Sequence, residues 1–125
     1  MELEICTNSY NSALAALQGG ADRIELCVGL AEGGLTPSMG LIKQVAQLSG
    51  LKKHVLIRPR GGDFCYTPDE VAIMETDIRL LKEEGIDGVV IGALNPDGTI
   101  DLPTMRRLIT AAEGLSITFH RAFDM

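Results

Sequence analysis

The ten residues Ile57-Arg58-Pro59-Arg60-Gly61-Gly62-Asp63-Phe64-Cys65-Tyr66 bring two guanidinium groups, a carboxylate and a thiol together on a short length of chain. An apolar run, His54-Val55-Leu56-Ile57, leads into them and reads as a buried strand. Pro59 offers no N–H to a sheet ladder, and Gly61-Gly62 permits positive φ and close backbone approach, so the strand must end in a shaped loop. Charges at the end of a buried strand are costly unless they pair or face a ligand. Two arrangements meet that condition. One is an Arg–Asp clamp that shapes the loop. The other is an anion-recognising rim, with Arg58, Arg60 and Asp63 around a bound carboxylate or phosphate.

The elements that position this loop alternate between strand and helix. Glu2 to Cys6 alternates charged and apolar residues with a period of two, and Arg23-Ile24-Glu25-Leu26-Cys27 repeats the pattern. Between them, Asn8 is placed to cap a helix through Ala13, Leu14, Ala16 and Leu17 that stops at Gly19-Gly20. After a glycine-rich loop, Thr36-Pro37 is read as the start of a second helix, with the hydroxyl at the N-cap. Thr67-Pro68-Asp69-Glu70 is a capping box opening a third helix, whose Val71, Met74, Ile78 and Leu81 share one face. Gly88 to Gly92 is an almost wholly apolar strand; Asp101 caps a fourth helix; Ser116 to His120 is a fifth strand. Asn95-Pro96-Asp97-Gly98 reads as a turn, and Met39, Met74 and Met105 as helix packing.

Strand–helix alternation of this kind builds a parallel sheet with right-handed crossovers. A flavodoxin-like five-stranded sheet and a (β/α)8 barrel both fit it. Parity favours the barrel. If Leu3, Ile5, Ile24, Leu26, Val55 and Ile57 face helices, the other face carries Glu2, Glu4, Cys6, Arg23, Glu25, Cys27, Arg58, Arg60, Thr118 and His120. A sheet covered on both sides should be apolar on both, whereas a barrel interior near its C-terminal end can hold such groups. On that face Glu25 and His120 are candidate acid–base residues and Arg58, Arg60 and Asp63 candidate ligand-binding residues, with Arg121 and Asp124 at the rim. A charge-compensated network filling the interior is the structural alternative. His54, at the far end of its strand, is expected on the surface.

With 125 residues and 46% apolar composition, the chain can form one domain with a real core. Its net charge of −6 and lack of long basic clusters argue against nucleic acid or an anionic membrane as partner. No signal-peptide pattern or long apolar span is present. Three cysteines, an odd number, suit free thiols, a metal site or a redox site better than disulfide staples, and together these features predict a cytoplasmic location.

Several stretches resemble the CutC family of copper homeostasis proteins: Glu4-Ile5-Cys6, Gly20 to Cys27, Glu32-Gly33-Gly34-Leu35-Thr36-Pro37-Ser38, Arg58 to Tyr66, and Thr118-Phe119-His120-Arg121-Ala122-Phe123-Asp124. The resemblance covers the whole chain and implies a cytoplasmic (β/α)8 barrel associated with copper. Because the family's barrels are about twice as long, it also implies that residues 1–125 form a single truncated barrel domain, comprising four βα units and strand five. It implies Cys6 and Cys27 as copper ligands, while the family pocket resembles that of an enzyme with no assigned substrate. Both thiols fall at the ends of adjacent strands with shared parity, where neighbouring backbones lie about 4.8 Å apart and two sulfurs could bridge a soft ion such as Cu(I). Burial as small apolar residues is their structural alternative. Cys65 is expected to be a bystander or a third ligand. Half a barrel leaves two unpaired sheet edges, which predicts a homo-oligomer.

Overall fold

The computed structural model describes residues 2–120. Its strands and helices start and stop for local reasons. Helix α1 (Tyr10–Gln18) is capped by Ser9, which forms a reciprocal capping box with Ser12. The expected cap, Asn8, instead donates its backbone N–H to Ser12 Oγ at 3.1 Å. Helix α2 (Met39–Ala46) begins two residues later than expected, on Ser38, whose Oγ accepts from the Leu41 N–H. Thr36 is otherwise engaged. Its Oγ1 accepts the Arg58 N–H at 2.7 Å, and its own N–H donates to the Arg58 carbonyl at 3.0 Å. Helix α3 (Pro68–Glu83) has the expected Thr67–Glu70 capping box, and α4 (Leu102–Ala111) has the expected Asp101 cap.

The strands β1 (Glu4–Thr7), β2 (Arg23–Leu26), β3 (Lys52–Leu56), β4 (Gly88–Ile91) and β5 (Ser116–Phe119) form one parallel sheet in the order β1-β2-β3-β4-β5. A flavodoxin-like sheet reverses direction after its first crossover and gives the order 2-1-3-4-5. Sequential order without reversal is the barrel arrangement, in which every helix returns along the same side. The core agrees: Ile24, Leu26, Val55, Ile57, Val89 and Ile91 join the buried faces of all four helices in a single cluster. Met74 and Met105 are buried in it and Met39 packs against it, as expected of packing residues.

The opposite face holds a second, small cluster of Cys27, Leu56 and Val90, surrounded by polar groups. His54 belongs to this face and is 3% exposed, not on the surface. Its strand neighbours are Glu25 and Gly88, and the imidazole occupies the space that a side chain on Gly88 would need: a Cβ there would lie 2.8 Å from His54 Cε1. Burial, aided by the Arg23 charge, pushes the His54 pKa below its ordinary value and favours the neutral ring. At the sheet edges, Leu3 and Ile5 share the helix-facing parity yet stay exposed, as does Phe119 on β5. Among the described residues no helix is long and apolar enough to cross a membrane.

Candidate functional site

Two constellations lie toward the C-terminal ends of the strands, where barrels place their chemistry. The first is the thiol pair. Cys6 aligns with Glu25, two residues before Cys27, so the two cysteines are diagonal neighbours on adjacent strands. Cys27 is buried and Cys6 exposed, and both are free thiols. They act on each other. Burial raises the Cys6 pKa, the Glu25 charge raises it further, and a hydrogen bond from Cys27 opposes the rise. Cys27 is pushed up to about 11, first by burial and then by the charges of Cys6 and Glu25. Cys6 is therefore the sulfur that ionises first.

Two sulfurs make a donor set that fits Cu(I), which accepts thiolate and low coordination numbers; a structural zinc takes four ligands. Among the described residues no group of three or more His, Cys, Asp or Glu is placed to hold a metal. Cys65 does not extend the set: it packs on Phe64 and Leu94 in a separate cluster.

The second constellation is a cleft of about 210 Å³ lined by Glu25, Leu56, Arg58, Phe64, Val90 and His120, among others. Arg58 is 3% exposed. Its Nη1 donates to the carbonyls of Glu32 (2.6 Å) and Gly34 (3.1 Å), and its Nη2 to that of Gly62 (2.8 Å). Nε, also buried, makes no hydrogen bond of good geometry among the described residues, although the guanidinium is near enough to the buried Tyr66 hydroxyl to oppose the rise in its pKa that burial causes. The guanidinium lies 4.8 Å from the centroid of the Phe64 ring, and that ring lies 4.9 Å from the His120 imidazole. Gly92 makes room for the imidazole: a Cβ on it would lie 2.5 Å from His120 Cε1. Glu25 has its pKa raised by burial and by Glu4, against the lowering effect of Arg23.

The loop arginines thus part company. Arg60 forms a two-pronged bond with Glu70 (Nε to Oε2 2.7 Å, Nη2 to Oε1 3.2 Å), pairs with Asp63 at 3.0 Å, and donates to the Asp63 and Cys65 carbonyls. It does not line the cleft. Asp63 accepts from the Cys65 N–H and from Arg60, which together lower its pKa, so this pair has the geometry of the clamp. Of the residues singled out in the sequence, Glu25, Arg58 and His120 meet at the cleft, and Cys6 and Cys27 meet beside it. Arg121 and Asp124 lie outside the described residues. Sequence reasoning missed Phe64, Thr36 and Gly92. The position of Phe64 inside the charged loop was the one available signal.

The family model described as the CutC family matches residues 1–125. The chain is 52% identical over 124 residues to a family protein CutC of Pectobacterium atrosepticum, and 54% identical over 125 residues to one of Bacteroides thetaiotaomicron. Each match covers 99% of this chain; it covers 49% of the first relative and 50% of the second, so the chain spans about half the length of the curated relatives it matches. A crystal structure of a Streptococcus agalactiae protein, provisionally described as a copper homeostasis protein CutC, superposes with a TM-score of 0.92 at 39% identity, covering 99% of this chain and 61% of that one. Strand order, inward parity and these matches agree: the chain belongs to the CutC family.

Proposed function

We propose that this chain handles Cu(I) in copper homeostasis in the cytoplasm, taking the ion as cargo between Cys6 and Cys27. The carrying observation is the diagonal thiol pair. Diagonal neighbours on adjacent strands have backbones about 7–8 Å apart, near or beyond the span that a disulfide tolerates. The sulfurs nevertheless sit close enough to govern each other's ionisation. Such a pair is better suited to an ion that inserts between two sulfurs than to oxidation. Both thiols are held protonated, so loading must displace protons, and Cys6 is the natural first contact because it is exposed.

Anaerobic titration of Cu(I) against a chromogenic chelator tests this. The wild type and Cys65→Ser should each bind one ion, with close to two protons released per ion at neutral pH. The Cys6→Ser/Cys27→Ser double variant should lose at least about a hundredfold in affinity. Equal affinity in the double variant overturns the assignment.

A second reading is favoured by the cleft: a barrel site that binds, and in an enzyme would transform, a small anionic metabolite through Arg58, with Glu25 and His120 as the acid–base groups. Its support is a buried guanidinium that has three carbonyl partners and no carboxylate within ion-pair distance among the described residues. We also take the chain to self-associate. Among the described residues β1 and β5 are each paired on one side only, and Leu3, Ile5 and Phe119 are exposed there. Light scattering showing a monomer across the micromolar range would remove that part.

A further inference from the structure

We infer that the cleft between β2, β3, β4 and β5 is a subsite for a small carboxylate with a compact apolar body, received by the Nε–H of Arg58. The inference rests on the second reading above, that the cleft takes an anion, and names the class of anion.

Burying a cation without a counter-charge is unfavourable, and a buried N–H without an acceptor adds to the cost. Arg58 carries both liabilities, in a residue that lines a cavity. The other guanidinium nitrogens are held by Glu32, Gly34 and Gly62, so the group cannot swing away to find an acceptor. A carboxylate in the cleft supplies the missing charge and the missing acceptor together.

The same bonds argue against phosphate. A phosphate group calls for several convergent donors, usually backbone N–H groups of a glycine loop or helix start. In the neighbouring glycine loop the N–H of the cleft-lining Gly33 donates to the Leu30 carbonyl, and the Glu32 and Gly34 N–H groups on either side both donate to the Gly29 carbonyl. Of its five N–H groups the arginine has committed three, which leaves Nε–H and one Nη2–H, a number that suits the two oxygens of a carboxylate. The rest of the wall is Leu56, Val90 and Phe64, apolar surface for a short hydrocarbon body. At about 210 Å³ the space equals that of about seven water molecules, so the ligand is small. His120, held between Phe64 and Gly92, faces the same space. Among the described residues Glu25 is the one carboxylate lining it, and it opposes an incoming anion.

The test uses isobutyrate, its neutral counterpart isobutyramide, and inorganic phosphate, each titrated into the 125-residue chain and followed by the NMR signals of Phe64 and His120. Isobutyrate should saturate, bind at least about tenfold tighter than isobutyramide, and outcompete phosphate. Glu25→Gln should tighten isobutyrate by about fivefold at pH 8 and leave isobutyramide unchanged. Arg58→Lys should abolish the preference for isobutyrate over isobutyramide; where that variant fails to fold, the Glu25→Gln comparison still decides. Phosphate binding more tightly than isobutyrate overturns the carboxylate class while leaving the anion reading standing. Absence of binding by either anion overturns both.

Discussion

The inward face of the sheet has two ends that solve the same problem differently. At the N-terminal end of the strands Glu4 pairs with Arg23, and His54 sits neutral and buried over Gly88. At the C-terminal end Arg58 is equally buried, but its Nε–H is left over, and two thiols face each other without a disulfide. At the first end the opposite charges pair with each other and the imidazole is kept neutral by burial. At the second end Arg58 keeps hydrogen-bonding capacity that the described residues do not use. The contrast separates charge on an inward face, which the fold can satisfy by itself, from uncommitted hydrogen-bonding capacity, which is what a ligand would need.

The comparison can be broken or sharpened by substitution. The largest effect is expected at Arg58. Arg58→Met removes three donors at once and orphans the carbonyls of Glu32, Gly34 and Gly62, for about 3 kcal/mol of lost stability at ~1 kcal/mol each. Urea unfolding measures it, and a loss under about 1 kcal/mol would mean that those bonds do not organise the loop.

Alkaline pH should act next, through the thiol pair. Folding raises the Cys27 pKa from its ordinary 9.0 to about 11, so the folded state favours the protonated thiol. Its contribution is complete below about pH 9 and is lost as pH rises through about 11. The urea midpoint of the wild type should therefore fall between pH 8.5 and roughly pH 11, and that of Cys27→Ala should fall less. Parallel slopes for the two proteins would assign the loss elsewhere.

The two glycines of β4 and its end offer a matched pair. In Gly88→Ala the new Cβ meets the His54 ring and the Ser116 carbonyl, each at 2.8 Å. A backbone oxygen in a paired strand cannot step aside, so about 2 kcal/mol of destabilisation is expected. In Gly92→Ala the three nearest atoms all belong to the His120 ring. A side chain can rotate away, so the cost in stability should stay under about 1 kcal/mol, while the ring's tilted contact with Phe64 is lost. Thermal unfolding gives the first quantity, and ring-current shifts of the His120 protons give the second. Equal destabilisation by the two changes would erase the distinction between the closed end and the open one.

Much of this organisation was already legible along the chain. Alternation with a period of two in β1 and β2, the Thr67–Glu70 capping box and the Asp101 cap are local patterns, and local patterns survive folding when packing agrees with them. The expected caps at Asn8 and Thr36 failed for an equally specific reason. A neighbouring hydroxyl, Ser9 or Ser38, was better placed, and Thr36 was drawn into long-range bonds with Arg58. His54 was misplaced because a glycine on the next strand, 34 residues away, creates the space that buries it.

The amino-acid order alone determined the element sequence, the parity of each strand and hence which side chains could meet inside a barrel. It did so because those properties depend on neighbours within a turn or a pleat. It could not separate Arg58 from Arg60, two residues apart with the same side chain. Only the tertiary structure did, by bringing Glu70 to one and three backbone carbonyls to the other. Hydrogen-bond commitment is set by groups distant along the chain, and that commitment decides which arginine is paired with carboxylates and which keeps a donor unused.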